Sequence, residues 1–269
     1  DMVLTITHNQ YIKRTSVSTY KSQRRGGRGV QGQTAREEDF TEHLFVENTH
    51  SYILFFTDKG KCYWVKVYDI PEGGRAAKGR AIVNLIGCEP DEKVSAFIGV
   101  KQDQFHEDHF VVMATEKGIV KKTKLSAYSN PRKKGIYAVE IREGDSLIEA
   151  RVSNGENDIL LGTTNGKSIR FSEEQIRPSG RKTMGVKGIT LSSKDDKVVG
   201  MLLIKREGTV LVATENGFGK RTEIIQYRAQ KRGGKGVLTM KTTDKIGKMI
   251  TIKEVVGTDD LMIIRDDGV

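Results

Sequence analysis

The sequence of 269 residues lacks the features that mark membrane, secreted or metal-binding proteins. No apolar run approaches the ~18 residues needed to cross a bilayer, and no signal peptide stands at Asp1. Only two cysteines are present, Cys62 and Cys88, and neither has the spacing of a metal site. We therefore expect buried, reduced thiols in a cytoplasmic chain with no membrane span or anchor.

Catalytic and cofactor signals are equally scarce. No Ser/His/Asp or Cys/His set stands out, and the acidic residues are spread over surface strands and turns. Residues 27–32 fit a Gly-x-Gly-x-x-Gly pattern, but they follow a basic loop and open no helix, which argues against a nucleotide site. The run His106-Glu107-Asp108-His109 is typical of a solvated turn. We predict no active site, no metal and no cofactor.

What the sequence does contain is positive charge. Its 45 lysines and arginines exceed its 35 acidic residues, giving a net charge of +10 and a pI near 9.4. Such a balance indicates a polyanionic partner, either nucleic acid or an anionic membrane face. Length and apolar content are those of a globular protein with a substantial core.

A repeat organises the chain from end to end. Short hairpins with a Thr-x-x-Gly turn recur, and with Gln10 as the first turn position the spacings are 50, 58, 48, 51 and 51 residues. A second glycine follows each of the first five turns by 17 or 19 residues. The turn positions are Gln10, Gly60, Gly118, Gly166, Gly217 and Gly268, and the second glycines are Gly29, Gly79, Gly135, Gly185 and Gly236. This regularity predicts a unit of about 50 residues repeated five times, with a sixth begun.

Each unit is predicted to contain four strands. In the third unit we expect strands at residues 110–115, 119–123, 136–141 and 146–152. A hydrophobic residue ten positions past each turn is expected to pin the following loop to the core; these are Tyr20, Ile70, Tyr128, Ile176 and Tyr227. Repeated four-stranded units indicate an all-β blade architecture in one domain. The blades should span about residues 1–49, 50–108, 109–157, 158–208 and 209–256, with a partial one at 257–269.

Basic residues concentrate in the loop between the second and third strands of each unit, which we call the rim loop. Because equivalent loops occupy equivalent positions in a ring, these charges should form a belt that binds phosphates. The first rim loop contains Arg24, Arg25 and Arg28, and the second contains Arg75 and Lys78 with Arg80 beside them. The later loops contain Arg132, Lys133 and Lys134, then Arg177, Arg181 and Lys182, then Arg228, Lys231, Arg232 and Lys235.

The densest of these clusters is Gln23-Arg24-Arg25-Gly26-Gly27-Arg28-Gly29, here called the first box. Its guanidiniums suit phosphate oxygens, and its glycines let the backbone approach a ligand closely. A near copy, the second box, stands at residues 230–236. The chain resembles the C-terminal domain of bacterial DNA gyrase A over essentially its whole length. The resemblance rests on the first box, the Thr-x-x-Gly hairpins and the run from Lys78 to Leu85.

The resemblance implies a fold, a function and partners. The fold would be a six-bladed β-pinwheel whose blades exchange an outer strand, with the sixth blade incomplete in this chain. The domain would bind double-stranded DNA on its rim and wrap it, so that the holoenzyme introduces negative supercoils with ATP. All seven residues of the first box would contact DNA. The partners would be the remainder of gyrase A together with gyrase B, as an A2B2 complex in the nucleoid, with the cleaving tyrosine and the ATPase elsewhere.

Two alternatives remain open. The C-terminal domain of topoisomerase IV would bend DNA without a full wrap, and the intact first box argues against it. A propeller that binds proteins or acidic peptides should cluster its aromatic and apolar residues on one face, whereas these loops are basic with few aromatics. Two features depart from the family pattern: the second box, and a sequence that ends inside the predicted sixth hairpin.

Overall fold

The computed structural model of the chain describes residues 1–20, 39–74, 76–106, 108–205, 208–259 and 261. Its strands in chain order are β1 (Met2–Thr7), β2 (Tyr11–Ser16), β3 (Thr41–Glu47), β4 (Tyr52–Thr57), β5 (Lys61–Lys66), β6 (Arg80–Ala81), β7 (Val94–Val100), β8 (Phe110–Thr115), β9 (Ile119–Lys124), β10 (Ile136–Tyr137), β11 (Leu147–Ser153), β12 (Asp158–Thr163), β13 (Lys167–Ser172), β14 (Val186–Lys187), β15 (Val198–Ile204), β16 (Thr209–Thr214), β17 (Gly219–Glu223), β18 (Val237–Leu238) and β19 (Met249–Val255).

Helical structure is limited to single turns. One four-residue helix, α1, spans Val83–Ile86. The 3-10 turns are Val17–Thr19, Val67–Asp69, Asp103–His106, Leu125–Tyr128, Glu173–Gln175 and Ile224–Gln226, and five of them directly follow the second strand of a repeat. No helix among the described residues is long and apolar enough to cross a membrane.

The hairpin turns lie where the spacing predicts them. Gly60, Gly118, Gly166 and Gly217 all have φ between 74° and 84°, and Gln10 has φ 62°. Each reverses the chain between the first and second strands of a repeat, and a positive φ there favours glycine because it carries no Cβ. The repeat unit read from the sequence is therefore confirmed at its turns.

Outer strands are exchanged between repeats. The sheets have the orders β3-β1-β2-β6, β10-β5-β4-β7, β11-β8-β9-β14, β15-β12-β13-β18 and β17-β16-β19. In the first four, the short strand beside the second strand of a repeat comes from the following repeat, for example β14 beside β9. The exchange that the resemblance implies is thus present. The predicted third strand at residues 136–141 is wrong in length, since only Ile136 and Tyr137 pair.

The blade count predicted from the resemblance is also wrong. The described residues form five blades, four with four strands and one with three, not six. A Thr-x-x-Gly-like motif such as Arg265-Asp266-Asp267-Gly268 predicts a local turn only, whereas a blade needs three long strands to form its sheet. That motif lies outside the described residues. The fold is an all-β, five-bladed propeller with exchanged outer strands.

The hydrophobic core lies between blades. Four clusters of buried side chains each join two successive blades. Leu54 and Phe56 of the second blade pack with Val111 and Met113 of the third, and Leu160 of the fourth packs with Val210 of the fifth. The first strands β4, β8 and β12 are buried along nearly their whole length because their alternate side chains pack into the clusters on either side of the blade. Cys62 and Cys88 are buried and unpaired, as predicted.

Candidate nucleic-acid interface

Each described rim loop starts at a buried hydrophobic residue. Ile70, Tyr128, Ile176 and Tyr227 are all at most 4% exposed. The Tyr128 hydroxyl donates to the Ala138 carbonyl at 3.0 Å, which ties the start of its loop to the segment after the loop. The prediction that these residues pin the loops is confirmed, and Tyr20 at the equivalent first position is half-buried.

The loops end at glycines that pass close to the preceding blade. Gly185 has φ 91°, and a Cβ there would lie 2.4 Å from the Val120 carbonyl oxygen of β9. Gly236 has φ 70° and the same 2.4 Å approach to the Ser168 carbonyl oxygen of β13. Only glycine fits such positions. Each rim loop is therefore held against the second strand of the blade before it.

Most of the predicted DNA-contacting residues that the structure describes are exposed on these loops. They are Lys78, Arg80, Arg132, Lys133, Lys134, Arg177, Lys182, Arg228, Lys231 and Lys235. Among the described residues, none of them forms a salt bridge with a carboxylate. The Lys78 and Lys182 ammonium groups lie over the Tyr11 and Tyr137 rings, 3.9 and 4.7 Å from the ring centres, and both side chains remain exposed to an external anion. The first box, residues 23–29, and Arg75 lie outside the described residues.

Two predicted contact residues are instead engaged with the protein. The Arg181 guanidinium donates to the Tyr137 carbonyl at 2.7 Å, across the edge of the second blade. The Arg232 guanidinium donates to the carbonyls of Gln175 at 3.2 Å and Lys187 at 2.5 Å. Both side chains are half-buried. These arginines hold loops in place, and some of their N–H groups already donate to backbone carbonyls.

The second box is folded tightly onto the fourth blade. The amide of Gly233 donates to the Gly188 carbonyl at 2.8 Å, and the Thr190 amide donates to the Gly234 carbonyl at 2.8 Å. The Thr190 hydroxyl donates to the Gly233 carbonyl at 2.7 Å. These contacts fix the glycines and leave Lys231 and Lys235 exposed on either side of the half-buried Arg232.

Buried lysines beneath the loops were missed by the sequence reasoning. The Lys13 ammonium donates to the Gly74 and Ala77 carbonyls at 3.0 Å each, inside the second rim loop. The Lys121 ammonium donates to the Ala138 and Arg181 carbonyls at 2.7 Å each. Burial lowers the pKa of each lysine to about 8. Strand alternation could not have identified them, because residues on both faces of β2 and β9 are buried.

A second row of donors joins the blades. Four residues past the turn position, the side chains of β2, β5, β9 and β13 donate to carbonyls at the start of the next rim loop. The pairs are Arg14 to Ile70 at 2.7 Å, Trp64 to Tyr128 at 2.9 Å, Lys122 to Glu173 at 3.0 Å, and Arg170 to Ile224 at 3.1 Å and Tyr227 at 3.2 Å. The donors connect each blade to the loop of the next one.

The arrangement suits electrostatic binding of a polyanion. Rigid loop starts, glycines at the loop ends and exposed cations recur on successive blades, so an extended anion can contact several loops at once. Among the described residues, no group of three or more His, Cys, Asp or Glu side chains could hold a metal ion. That the exposed lysines and arginines bind DNA stays a prediction.

Comparison with known proteins places the fold in a family. The family model described as "DNA gyrase C-terminal domain, beta-propeller" matches five segments, residues 1–46, 51–100, 109–154, 157–205 and 208–255. Five matched repeats agree with the five sheets and contradict a sixth blade.

Relatives and solved structures agree. DNA gyrase A of Staphylococcus aureus strain NCTC 8325 is 47% identical over 270 residues, which cover 100% of this chain and 30% of that protein. A solved DNA gyrase A C-terminal domain has TM-score 0.83 and 24% identity, covering 94% of this chain and 82% of the other. A DNA topoisomerase IV C-terminal domain has TM-score 0.70 and 25% identity, covering 94% and 77%. This chain belongs to the DNA gyrase C-terminal domain family.

Proposed function

We propose that this chain binds duplex DNA along its rim loops and wraps it, as one domain of a DNA gyrase A protein. The observation that carries the proposal is the set of exposed basic side chains on equivalent loops of four successive repeats, which form no salt bridge among the described residues. The net charge of +10 and the 47% identity to a DNA gyrase A support it. Binding is nearly independent of sequence, because phosphate contacts position DNA without reading bases.

Wrapping explains why the cations are distributed and not concentrated. Bending 20–30 bp of duplex by 40–90° costs roughly 1–6 kcal/mol, and a wrap around a propeller costs several times that. Many phosphate contacts with release of counterions offset this cost. Loops that are pinned at their start and end hold their charges in place, so little of the binding free energy is lost to loop ordering.

The first box has a distinct part in this function. As the densest cluster of guanidiniums, it holds one end of the wrapped duplex, so that bending continues round the rim. The remaining rim loops bind the middle of the wrapped duplex, and the second box adds phosphate contacts through Lys231 and Lys235. The twenty residues predicted from the sequence are the DNA-contacting set, with Arg181 and Arg232 acting largely through loop position.

In the whole protein, we assign the wrap to the introduction of negative supercoils. This chain spans 30% of the length of the relative it matches, so DNA cleavage and ATP hydrolysis are assigned to the rest of gyrase A and to gyrase B. The complex would be A2B2 and act on DNA in the cytoplasm, at the nucleoid. Residues 1–269 then act as one DNA-binding unit.

The decisive experiment uses a closed circular plasmid. The plasmid is relaxed by a type I topoisomerase in the presence of the purified chain, the protein is removed, and the linking difference is measured against chain concentration. Wrapping with a positive sense leaves a positive linking difference that saturates. Binding without a linking difference would identify a DNA-bending domain of the topoisomerase IV kind, and absence of binding would contradict both.

A further inference from the structure

An open groove of about 450 Å³ lies at the junction of the second and third blades. Its aromatic floor is unlike the rest of the rim. The rings of Tyr52 and Trp64 are 5.0 Å apart, and Trp64 stacks on Phe105 at 4.6 Å. The Trp64 indole N–H donates a hydrogen bond to the Tyr128 carbonyl, which fixes the position of the ring. The groove is lined mainly by Tyr52, Trp64, Lys66, Tyr68, Leu85 and Pro131.

A cation and a hydroxyl stand at the mouth of the groove. The Lys66 ammonium lies 5.8 Å from the centre of the Tyr52 ring and 5.4 Å from that of Tyr68. It also donates to the Tyr68 hydroxyl at 3.3 Å, and this hydrogen bond raises the pKa of Lys66. The Tyr68 hydrogen stays free to donate, and Tyr68 is 53% exposed. Two adjacent donors therefore face solvent beside an apolar floor.

The fold does not require this combination. The residues equivalent to Tyr68, eight positions past the turn, are Ser18, Ser126, Glu174 and Ile225 in the other repeats. The position of Trp64 is held by a basic residue in all four of them. Since the described residues of the other repeats form the same blades with other side chains at these two positions, the groove in the second blade needs a separate explanation.

The groove is continuous with the basic rim. Pro131, on its wall, directly precedes the exposed Arg132, Lys133 and Lys134. Leu85 of α1 also lines the groove, and a Cβ at Gly87, the residue after α1, would lie 3.8 Å from the Lys133 carbonyl oxygen. A duplex held by the third rim loop would thus pass the mouth of the groove.

We propose that the groove seats the sugar–phosphate backbone of duplex DNA. Lys66 and the Tyr68 hydroxyl bind one phosphate, while the aromatic floor and Pro131 contact the apolar face of the adjoining deoxyribose. The assignment rests on the proposed function. Charge favours this occupant over a protein, because cations stand at the mouth and on the adjoining loop, against one lining carboxylate, Asp69.

Trp64 makes the groove directly observable, because it is the only tryptophan in the chain. Its emission is recorded while the chain is titrated with a mixed-sequence duplex of about 40 bp, and binding is followed in parallel by anisotropy of labelled DNA. We expect the emission to change and to saturate at the same DNA concentration as the anisotropy. Lys66→Gln and Tyr68→Ala should each weaken binding about three- to tenfold.

Matched variants separate this site from general binding. Ile225→Ala changes the equivalent position of the fifth blade, which is 83% exposed, and should leave affinity unchanged. Tyr68→Phe keeps the ring and removes the hydroxyl, so its DNA affinity should lie between the affinities of wild type and Tyr68→Ala. Unfolding midpoints equal to wild type establish that the variants fold.

The outcomes distinguish the groove from the wrap. If the chain binds DNA with unchanged Trp64 emission, or if Tyr68→Ala binds as well as Ile225→Ala, the groove proposal is overturned and the wrapping proposal stands. If DNA does not bind at all, both fall. If the emission responds to polyglutamate instead of DNA, or to chain concentration alone, the occupant is an acidic peptide or a second copy, and the proposal is wrong.

Discussion

Two junctions between blades solve the same problem with different side chains. At the junction of blades two and three, the Trp64 indole donates to the Tyr128 carbonyl at 2.9 Å. At the junction of blades four and five, the Arg170 guanidinium donates to the equivalent Tyr227 carbonyl at 3.2 Å. Both donors stand four residues past the turn glycine. The position requires an N–H donor that reaches the next loop, and it does not require a charge.

The difference lies in what each donor leaves at the surface. Arg170 has several partners, because its guanidinium also forms an ion pair with Asp158 at 2.7 Å and donates to the Ile224 carbonyl. Trp64 has one hydrogen bond and a large ring, which forms the floor of an open groove with Tyr52. One junction is therefore closed by polar contacts, and the other combines a single structural bond with an accessible aromatic surface.

The largest effect is expected at the polar junction. Arg170→Met removes the guanidinium that donates to the Ile224 and Tyr227 carbonyls and leaves the Asp158 carboxylate, which is 26% exposed, without its ion-pair partner. Because that carboxylate is partly solvated, we expect a loss of about 2–3 kcal/mol in the free energy of unfolding, below the full cost of a broken buried pair. Urea denaturation measures it, with the exposed Arg177→Met as control. A loss no larger than that of the control would contradict the role of Arg170.

Trp64→Phe tests the aromatic junction and should cost less. One hydrogen bond to Tyr128 is lost and part of the ring contact with Phe105 remains. We expect a loss of about 1–2 kcal/mol in the free energy of unfolding. The same denaturation experiment compares it with Arg170→Met. If Trp64→Phe proves the more damaging of the two, then ring packing, and not the donor, holds this junction.

A third comparison concerns the residue one position earlier, which is Lys121 in β9 and Ile169 in β13. Burial lowers the pKa of Lys121 to about 8, from a reference value of 10.5. Between these two pH values the unfolded state binds more protons than the folded state, so stability rises with pH through this window. The penalty for the buried charge is fully present below pH 8 and disappears above pH 10.5.

We therefore expect Lys121 to contribute an increase on the order of 1 kcal/mol to the free energy of unfolding as the pH rises from ~8 to ~9.5. Burial raises the pKa of the Cys62 and Cys88 thiols, which opposes this increase, so the contribution is measured as the difference between wild type and variant. Lys121→Met should reduce this increase, and Lys13→Met should reduce it likewise because burial lowers the pKa of Lys13 to about 8 too. The exposed Lys124→Met is the control. An unchanged pH dependence in both buried variants would mean that neither lysine titrates in this range.

Local signals made much of the fold predictable. Positive φ at Gly60, Gly118 and Gly166 and burial of Ile70 and Tyr128 depend on short stretches of sequence, so spacing located them. Strand exchange depends on two-residue pairs such as Ile136–Tyr137 with β5, which no periodicity reveals. The count of blades failed for a related reason, because a turn motif does not imply a whole sheet.

The site was predictable only in part. Exposed cations such as Lys133 and Lys231 followed from loop position, but the structural engagement of Arg181 and Arg232 did not, since their partners are backbone carbonyls of another repeat. The burial of Lys13 was not predicted, because lysine is rarely buried and its carbonyl partners lie in the next repeat. The aromatic groove combines residues from three distant segments, which only the fold brings together.

The smallest effects come from a matched pair of arginines, one at each junction. Arg132 is exposed in the third rim loop without a side-chain partner among the described residues, whereas Arg232 bonds to Gln175 and Lys187. On the proposed function, Arg132→Gln would remove one phosphate contact, so DNA affinity should fall by about 0.5–1 kcal/mol and the salt dependence by about one unit of slope, with stability unchanged. Arg232→Gln should lower the free energy of unfolding by about 0.5–1 kcal/mol, because loop carbonyls lose their donor, and should change the salt slope less. Anisotropy at several salt concentrations gives the salt slope of each variant, and urea denaturation gives the free energy of unfolding of each. If Arg232→Gln reduces the salt slope as much as Arg132→Gln and leaves stability intact, then the second box binds DNA through Arg232 and the two junctions differ less than the structure indicates.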